Sequence, residues 1–96
     1  MNLNLQEKVY IVSGSSQGIG KAIALGLLEE GAFVVITGRD PKKLEHCQNE
    51  LAKVSKYYQV MRVQGDLNNK QVLNNLEKKV LQKWGHIDGL IANAGA

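Results

Sequence analysis

The sequence predicts an α/β fold in which a parallel sheet carries helices on both faces. Short β-branched apolar segments alternate along the chain with longer segments whose apolar residues recur at helical spacing. A turn with glycines at positions 14, 18 and 20 joins the first apolar segment directly to the first amphipathic one. This alternation is typical of βαβ units. The 96 residues are therefore expected to form one domain, 1–96.

The first elements are predicted on either side of the glycine turn. The apolar run Val9-Tyr10-Ile11-Val12 is typical of a buried parallel strand, so strand one is expected over residues 8–13. Apolar or small residues at positions 19, 22, 23, 26 and 27 predict helix one over residues 18–30. Gly31 follows as a C-terminal cap, and strand two is expected over residues 32–37.

Asp40 and Pro41 mark the start of helix two. The carboxylate caps the first turn, and a proline is tolerated there because its missing N–H would have no partner in the helix. The apolar stripe of this helix consists of Leu44, Cys47, Leu51 and Val54. Strand three is expected over residues 58–64. Cys47 is interpreted as a small core residue rather than a nucleophile.

Helix three is predicted to begin at Asn68, with Gln71 at the spacing of a capping box. Its inner face consists of Leu73, Leu76, Val80 and Trp84. Gly85 ends the helix, and strand four is expected over residues 87–92. Right-handed crossovers then give the strand order 3-2-1-4. The glycine turn and the segment after strand four consequently meet at a topological switch point, where α/β sheets bind ligands.

The glycine turn has the chemistry of an anion site. Bare backbone at a helix N-terminus offers unpaired N–H groups and the positive end of the helix dipole to a phosphate. Five residues, not the four of a Walker loop, separate Gly14 from Gly20-Lys21, and Ala22 stands where that loop has its hydroxyl. The glycines also depart from the G-x-G-x-x-G dinucleotide fingerprint.

The pattern Ser13-Gly14-x-x-x-Gly18-Ile19-Gly20 resembles that of the short-chain dehydrogenase/reductase family. The resemblance extends over essentially the whole chain and implies a Rossmann-type fold that binds a nicotinamide dinucleotide. Ser13 replaces the usual threonine and is expected to tie the turn to neighbouring backbone. Ser15 and Ser16 are expected to donate hydrogen bonds to phosphate.

The end of strand two predicts which dinucleotide is bound. Gly38 and Arg39 occupy the corner where a carboxylate would bind the ribose hydroxyls and repel a 2'-phosphate. A guanidinium suits a phosphate dianion, so NADP(H) is the preferred cofactor and NAD(H) remains possible. Gln17 departs from the family pattern, since many NADP-preferring members carry a basic residue there. The alternative is that Arg39 is a solvated loop residue.

Two further segments match the family in order and position. Asp66-Leu67 follows strand three, and the resemblance implies that the carboxylate accepts from the adenine amino group while the leucine packs on the base. Asn93-Ala94-Gly95 resembles the family's Asn-Asn-Ala-Gly element, with Ala92 in place of the first asparagine. This element is expected to tie the central strands together and to leave room for the nicotinamide ribose. The predicted cofactor-binding residues are Gly14, Ser15, Ser16, Gly18, Ile19, Gly20, Gly38, Arg39, Asp66, Leu67, Asn93, Ala94 and Gly95.

No catalytic or metal-binding residue is assigned. The family's catalytic serine and Tyr-x-x-x-Lys lie downstream of the Asn-Ala-Gly element, and none of Tyr10, Tyr57 and Tyr58 has a lysine four residues later. His46 and His86 have no second ligand at metal spacing. The 96-residue chain is therefore expected to be inactive alone, and to be the cofactor-binding half of a longer enzyme.

Charge and hydropathy disfavour two other classes of protein, nucleic-acid-binding and membrane-spanning. The net charge is +3, but the lysines alternate with glutamates on predicted helices, which disfavours nucleic-acid binding as the main role. No stretch approaches the roughly 20 apolar residues of a membrane span, and the N-terminus lacks the apolar core of a signal peptide. A cytoplasmic location is the expectation.

The function expected from the resemblance is hydride transfer between a nicotinamide and a carbonyl or hydroxyl carbon of a small molecule. Complete members usually form homo-oligomers. Two alternatives stay open at this point: a nucleotide-binding module without chemistry, as a pseudoenzyme or sensor, and a fragment that self-associates through its open sheet edge.

Overall fold

The computed structural model describes residues 5–14, 18–56 and 59–91. Its elements in chain order are β1 (Val9–Val12), α1 (Gly18–Glu29), β2 (Phe33–Gly38), α2 (Pro41–Ala52), β3 (Val60–Gln64), α3 (Lys70–Trp84) and β4 (Gly89–Ile91). Within the described residues the strands form one parallel sheet of order β3-β2-β1-β4. The predicted α/β fold class and strand order are confirmed.

The two faces of the sheet bury different side chains because successive residues of a strand point to opposite sides. On one face, Val12, Val34 and Ile36 pack with α1 and α2 in a core that includes Ala24, Leu28, Leu44 and Cys47. On the other face, Ile11 and Val35 pack with α3 in a second core that includes Leu76 and Val80. The central strands β1 and β2 are therefore apolar on both sides, as parallel strands between two helical layers must be.

Capping residues define the helix ends as the sequence predicts at several positions. Gly31 adopts a φ of 87°, and the N–H groups of Gly31 and Ala32 donate to the carbonyls of Leu28 and Leu27, which is a Schellman motif. The Asp40 carboxylate accepts from Lys42 N at 2.9 Å and from Lys43 N at 3.3 Å. Gly85 ends α3 with a φ of 83°.

The N-cap of helix α3 lies one residue later than predicted. Its N-cap is Asn69, not Asn68, and the Asn69 side chain accepts from Gln71 N at 2.9 Å and from Val72 N at 3.4 Å. Asn68 lies in the preceding turn, where its N–H donates to the Asp66 carboxylate. The prediction of a capping box between Asn68 and Gln71 was wrong because two adjacent asparagines offer the same local signal.

Other boundaries differ by one or two residues. Helix α2 ends at Ala52, and the N–H groups of Lys53 and Val54 bond to carbonyls three residues back, so Val54 is 55% exposed rather than part of the core. The fully buried line of α1 runs through Gly20, Ala24 and Leu28. Tyr58 and Ala92, the expected ends of strands three and four, lie outside the described residues.

The start of β4 is joined to β1 by Asp88. Its carboxylate accepts from Val9 N at 2.7 Å, and its own N–H donates to Val9 O at 2.8 Å. The ring of His86 lies against the same carboxylate, with Nε2 at 3.1 Å. These contacts align β4 beside β1, and both strands then run in parallel toward the carboxyl end of the sheet.

Candidate functional site

The glycine turn joins β1 to α1 through backbone that favours glycine. Gly14 and Gly18 have φ values of 59° and 64°, in the left-handed region. Gly20 is buried on the inner face of α1, where a small residue lets the helix approach the sheet. Helix α1 begins at Gly18, so the positive end of its dipole faces the turn. Gly14 and Gly18 therefore have the backbone that the predicted anion site requires, and phosphate binding there stays a prediction.

Thr37 connects this turn to the neighbouring strand β2. Its hydroxyl accepts from Gly14 N at 3.3 Å and donates to Val12 O at 3.5 Å, and the residue is only 2% exposed. Sequence reasoning missed this residue. The available signal was a hydroxyl side chain near the end of an otherwise apolar strand.

Ser13 ties the turn to the end of β4. Its N–H donates to Ile91 O at 3.0 Å, and its hydroxyl lies 3.4 Å from the same carbonyl oxygen. The expected role of this hydroxyl is confirmed. The contact brings the glycine turn next to the last described residue of β4, at the switch point of the strand order. Ser15, Ser16, Asn93, Ala94 and Gly95 lie outside the described residues, so their expected contacts stay predictions.

Ile19 differs from the other large apolar residues of α1 because it is 72% exposed. It lies directly after Gly18, at the turn rather than against the sheet. Its exposure leaves it accessible to a ligand bound at the helix N-terminus.

The ends of β2 and β3 are joined by two hydrogen bonds, one between backbone groups and one from a side chain. Gly65 N donates to Gly38 O at 2.9 Å, and Gln64 Nε2 donates to Arg39 O at 3.2 Å. Gly65 has a φ of 142°, and a Cβ there would come within 2.7 Å of a Val72 methyl carbon. Glycine at this position therefore lets the start of α3 pack closely under the strand ends. Sequence reasoning missed Gly65, although a glycine immediately before Asp66 was visible.

The structure brings Arg39 and Asp66 together. Arg39 Nη2 lies 2.9 Å from Asp66 Oδ2, and the two side chains are 75% and 38% exposed. The other carboxylate oxygen, Oδ1, accepts from Asn68 N at 2.9 Å. Sequence reasoning treated the two residues as separate contacts to a ligand. Opposite charges after two neighbouring strands were the signal that could have indicated the pair.

Leu67 is half-buried and packs against the core between the sheet and α3. The structure therefore gives it a structural contact beside its expected contact with a base, which stays a prediction.

The lysine after the glycine turn is directed to α2 instead of the site. Lys21 Nζ lies 2.8 Å from Glu50 Oε1, and His46 Nε2 lies 2.7 Å from the same oxygen. The hydrogen bond from Lys21 lowers the pKa of Glu50. Nearby Cys47 is buried, and burial raises its thiol pKa, which disfavours the nucleophilic thiolate. Cys47 is a core residue, as predicted.

The part of the chain that the structure describes holds neither a metal cluster nor a membrane-spanning helix. No three His, Cys, Asp or Glu side chains among the described residues converge as metal ligands would. None of the described helices combines the length and apolarity that crossing a membrane requires.

Comparison with models of protein families identifies the family of this chain. Residues 8–96 match the family model of short chain dehydrogenases. The chain belongs to the short-chain dehydrogenase family. The family resemblance drawn from the glycine turn and the later motifs is thereby confirmed.

Relatives within the short-chain dehydrogenase family extend well beyond this chain. A Staphylococcus aureus protein named an uncharacterised oxidoreductase is 42% identical over 91 residues, which cover 95% of this chain and 38% of that protein. The chain thus spans less than half the length of the relatives that it matches.

Solved structures of short-chain dehydrogenases have the same fold. A short chain dehydrogenase from Bacillus anthracis is 40% identical with a TM-score of 0.85, over 94% of this chain and 36% of that one. L-sorbose reductase from Gluconobacter frateurii, solved with NADPH and L-sorbose, is 31% identical with a TM-score of 0.88, over all of this chain and 36% of that one.

Proposed function

We propose that this chain forms the NADP(H)-binding portion of an oxidoreductase that interconverts a carbonyl and a hydroxyl group of a small molecule. The observation that carries the proposal is the junction of β1, α1 and β2. Gly14 and Gly18 have left-handed backbone there, Thr37 holds the turn through Gly14, and Arg39 follows two residues after Thr37. The turn proposed to bind phosphate and the Arg39 guanidinium are thus linked through Thr37, which contacts the turn and lies two residues before Arg39.

The residues fit an anionic dinucleotide. The turn has the backbone that a diphosphate needs at a helix N-terminus, and Arg39 is well exposed at the corner where NAD-specific sites have a carboxylate. The NADPH bound to the related L-sorbose reductase supports the choice of cofactor. Bound dinucleotide supplies or accepts the hydride.

The proposed role of this chain is to bind and orient the dinucleotide. Gly14, Gly18 and Gly20 form the diphosphate turn with Ile19 beside it, and Ser15 and Ser16 are proposed to donate to phosphate. Gly38 and Arg39 are proposed to receive the 2'-phosphate, and Asp66 and Leu67 the adenine. Asn93, Ala94 and Gly95 are proposed to leave room for the nicotinamide ribose. Proton transfer and substrate positioning are proposed for the part of the relatives' length that this chain does not span.

A cytoplasmic location and assembly into homo-oligomers belong to the same proposal. The family membership supports a small-molecule substrate.

Calorimetric titration of folded protein with NADPH and with NADH tests the proposal. We expect NADPH to bind more tightly. Equal affinities contradict the NADP(H) preference, and failure of both ligands to bind contradicts a dinucleotide site and favours self-association. For the full-length protein, loss of NADPH absorbance in the presence of aldehydes or ketones tests hydride transfer. Tight binding without turnover on a broad substrate panel favours a non-catalytic module.

A further inference from the structure

We infer that Asp66 is a positioning residue that raises the preference for NADP(H) by orienting the Arg39 guanidinium. The inference rests on the proposed function of this site. Asp66 is already expected to contact the adenine. The second role inferred for it acts through the Arg39 side chain and affects only the cofactor that carries a 2'-phosphate.

The carboxylate of Asp66 is itself held by the backbone around it. Oδ1 accepts from Asn68 N at 2.9 Å, which closes a turn immediately before α3. The preceding Gly65 is joined to Gly38 and packs against Val72, so the backbone carrying Asp66 is placed by both β2 and α3. Oδ2 therefore offers a fixed acceptor to a long and exposed arginine side chain.

The backbone of Arg39 is held as well. Gln64 Nε2 donates to its carbonyl at 3.2 Å, so the side chain starts from a defined point after β2. Its guanidinium then bonds to Asp66 through Nη2 at 2.9 Å. Among the described residues this is the side-chain ion pair that Arg39 makes, and it uses one nitrogen of three. The remaining N–H donors of the fork are available to a phosphate.

Two effects of Asp66 on a 2'-phosphate oppose each other. Its negative charge repels the phosphate, but both groups are near solvent, where ions screen such repulsion. Its hydrogen bond restricts a side chain that otherwise loses much rotamer freedom when it binds. Because the Arg39 fork has donors for both anions, we expect the orienting effect to exceed the screened repulsion.

Comparison of NADPH and NADH affinity in matched variants tests the inference. Asp66→Asn keeps an Oδ1 acceptor for Asn68 N but removes the charge that pairs with Arg39. Loss of the adenine contact weakens both cofactors and cancels in the ratio of their dissociation constants. We expect the NADPH preference to fall about two- to fivefold, the factor that corresponds to an exposed ion pair.

Two control variants isolate the role of Arg39. Asp66→Glu keeps the charge and should restore part of the preference. In an Arg39→Ala background, Asp66→Asn should no longer lower the ratio, because no guanidinium remains to be oriented and only the screened repulsion of the phosphate is relieved. Circular dichroism checks that each variant is folded.

Different outcomes overturn the inference and the proposed function. An unchanged or increased NADPH preference in Asp66→Asn, with wild-type protein that prefers NADPH, overturns the positioning role alone. The positioning role is also overturned if Asp66→Asn lowers the ratio equally with and without Arg39. Wild-type protein that binds neither dinucleotide, or prefers NADH, contradicts the proposed function itself.

Discussion

The Thr37 hydroxyl accepts a hydrogen bond from Gly14 N at 3.3 Å, which joins the end of β2 to the glycine turn after β1. The same oxygen lies 3.5 Å from Val12 O, to which it donates. Because Thr37 is buried beside the turn, it stabilises the backbone that is proposed to bind the diphosphate.

Thr37→Val is therefore expected to destabilise the protein and to weaken NADPH and NADH binding together. Valine keeps the shape but removes the acceptor of Gly14 N and the donor to Val12 O. We expect the free energy of unfolding to fall by about 0.5–1.5 kcal/mol, measured by urea denaturation. Thr37→Ser keeps the hydroxyl and should retain cofactor binding. If the valine variant binds both cofactors with wild-type affinity, the turn does not depend on this contact.

Arg39→Ala should weaken NADPH binding much more than NADH binding. A charge-assisted contact to the 2'-phosphate corresponds to a loss of about 1.5–3 kcal/mol for NADPH alone. Calorimetry with both cofactors measures it. Lys83→Ala removes the same charge from the last turn of α3 and is the matched control. Equal losses for the two cofactors would remove the NADP(H) assignment and favour the view of Arg39 as a solvated loop residue.

Asn69→Ala should destabilise the protein more than Asn68→Ala. The Asn69 side chain caps α3 by accepting from Gln71 N and Val72 N, whereas Asn68 contributes its backbone N–H to the preceding turn. Loss of such a cap costs about 0.5–2 kcal/mol. Urea denaturation of both variants checks the difference. A larger loss of stability for Asn68→Ala would indicate that Asn68 is the N-cap, as expected from the sequence.

Stability should fall in acid in part because of Glu50. Its pKa is lowered, chiefly by the hydrogen bond from Lys21, so the unfolded state binds a proton at higher pH than the folded state. The stabilisation is complete above the unfolded pKa of about 4.3 and is lost as pH falls through the lower folded value. Glu50→Gln should flatten the pH dependence of the urea midpoint in this range.

The matched control for Glu50→Gln is Glu45→Gln, which removes one carboxylate from the exposed face of the same helix. If both variants change the acid dependence equally, the effect comes from net charge and not from the contact with Lys21.

The sequence by itself determined the order and type of the elements. Alternation of β-branched runs with helical stripes is a local property, and so are the caps at Gly31, Asp40 and Gly85, which lie where they were expected. The strand order also followed, because right-handed crossovers leave few arrangements for such a chain. At Asn68 and Asn69 the local signal was ambiguous, and the prediction missed by one residue.

Only the tertiary structure decided which side chains act together at the site. Thr37 meets Gly14 across 23 residues of sequence, and Arg39 meets Asp66 across 27. Gly65 matters because Val72 of α3 packs against it. Such contacts depend on the register of neighbouring strands and on how a helix lies across them. No periodicity or local motif encodes them, because their energy exists only after distant segments have packed.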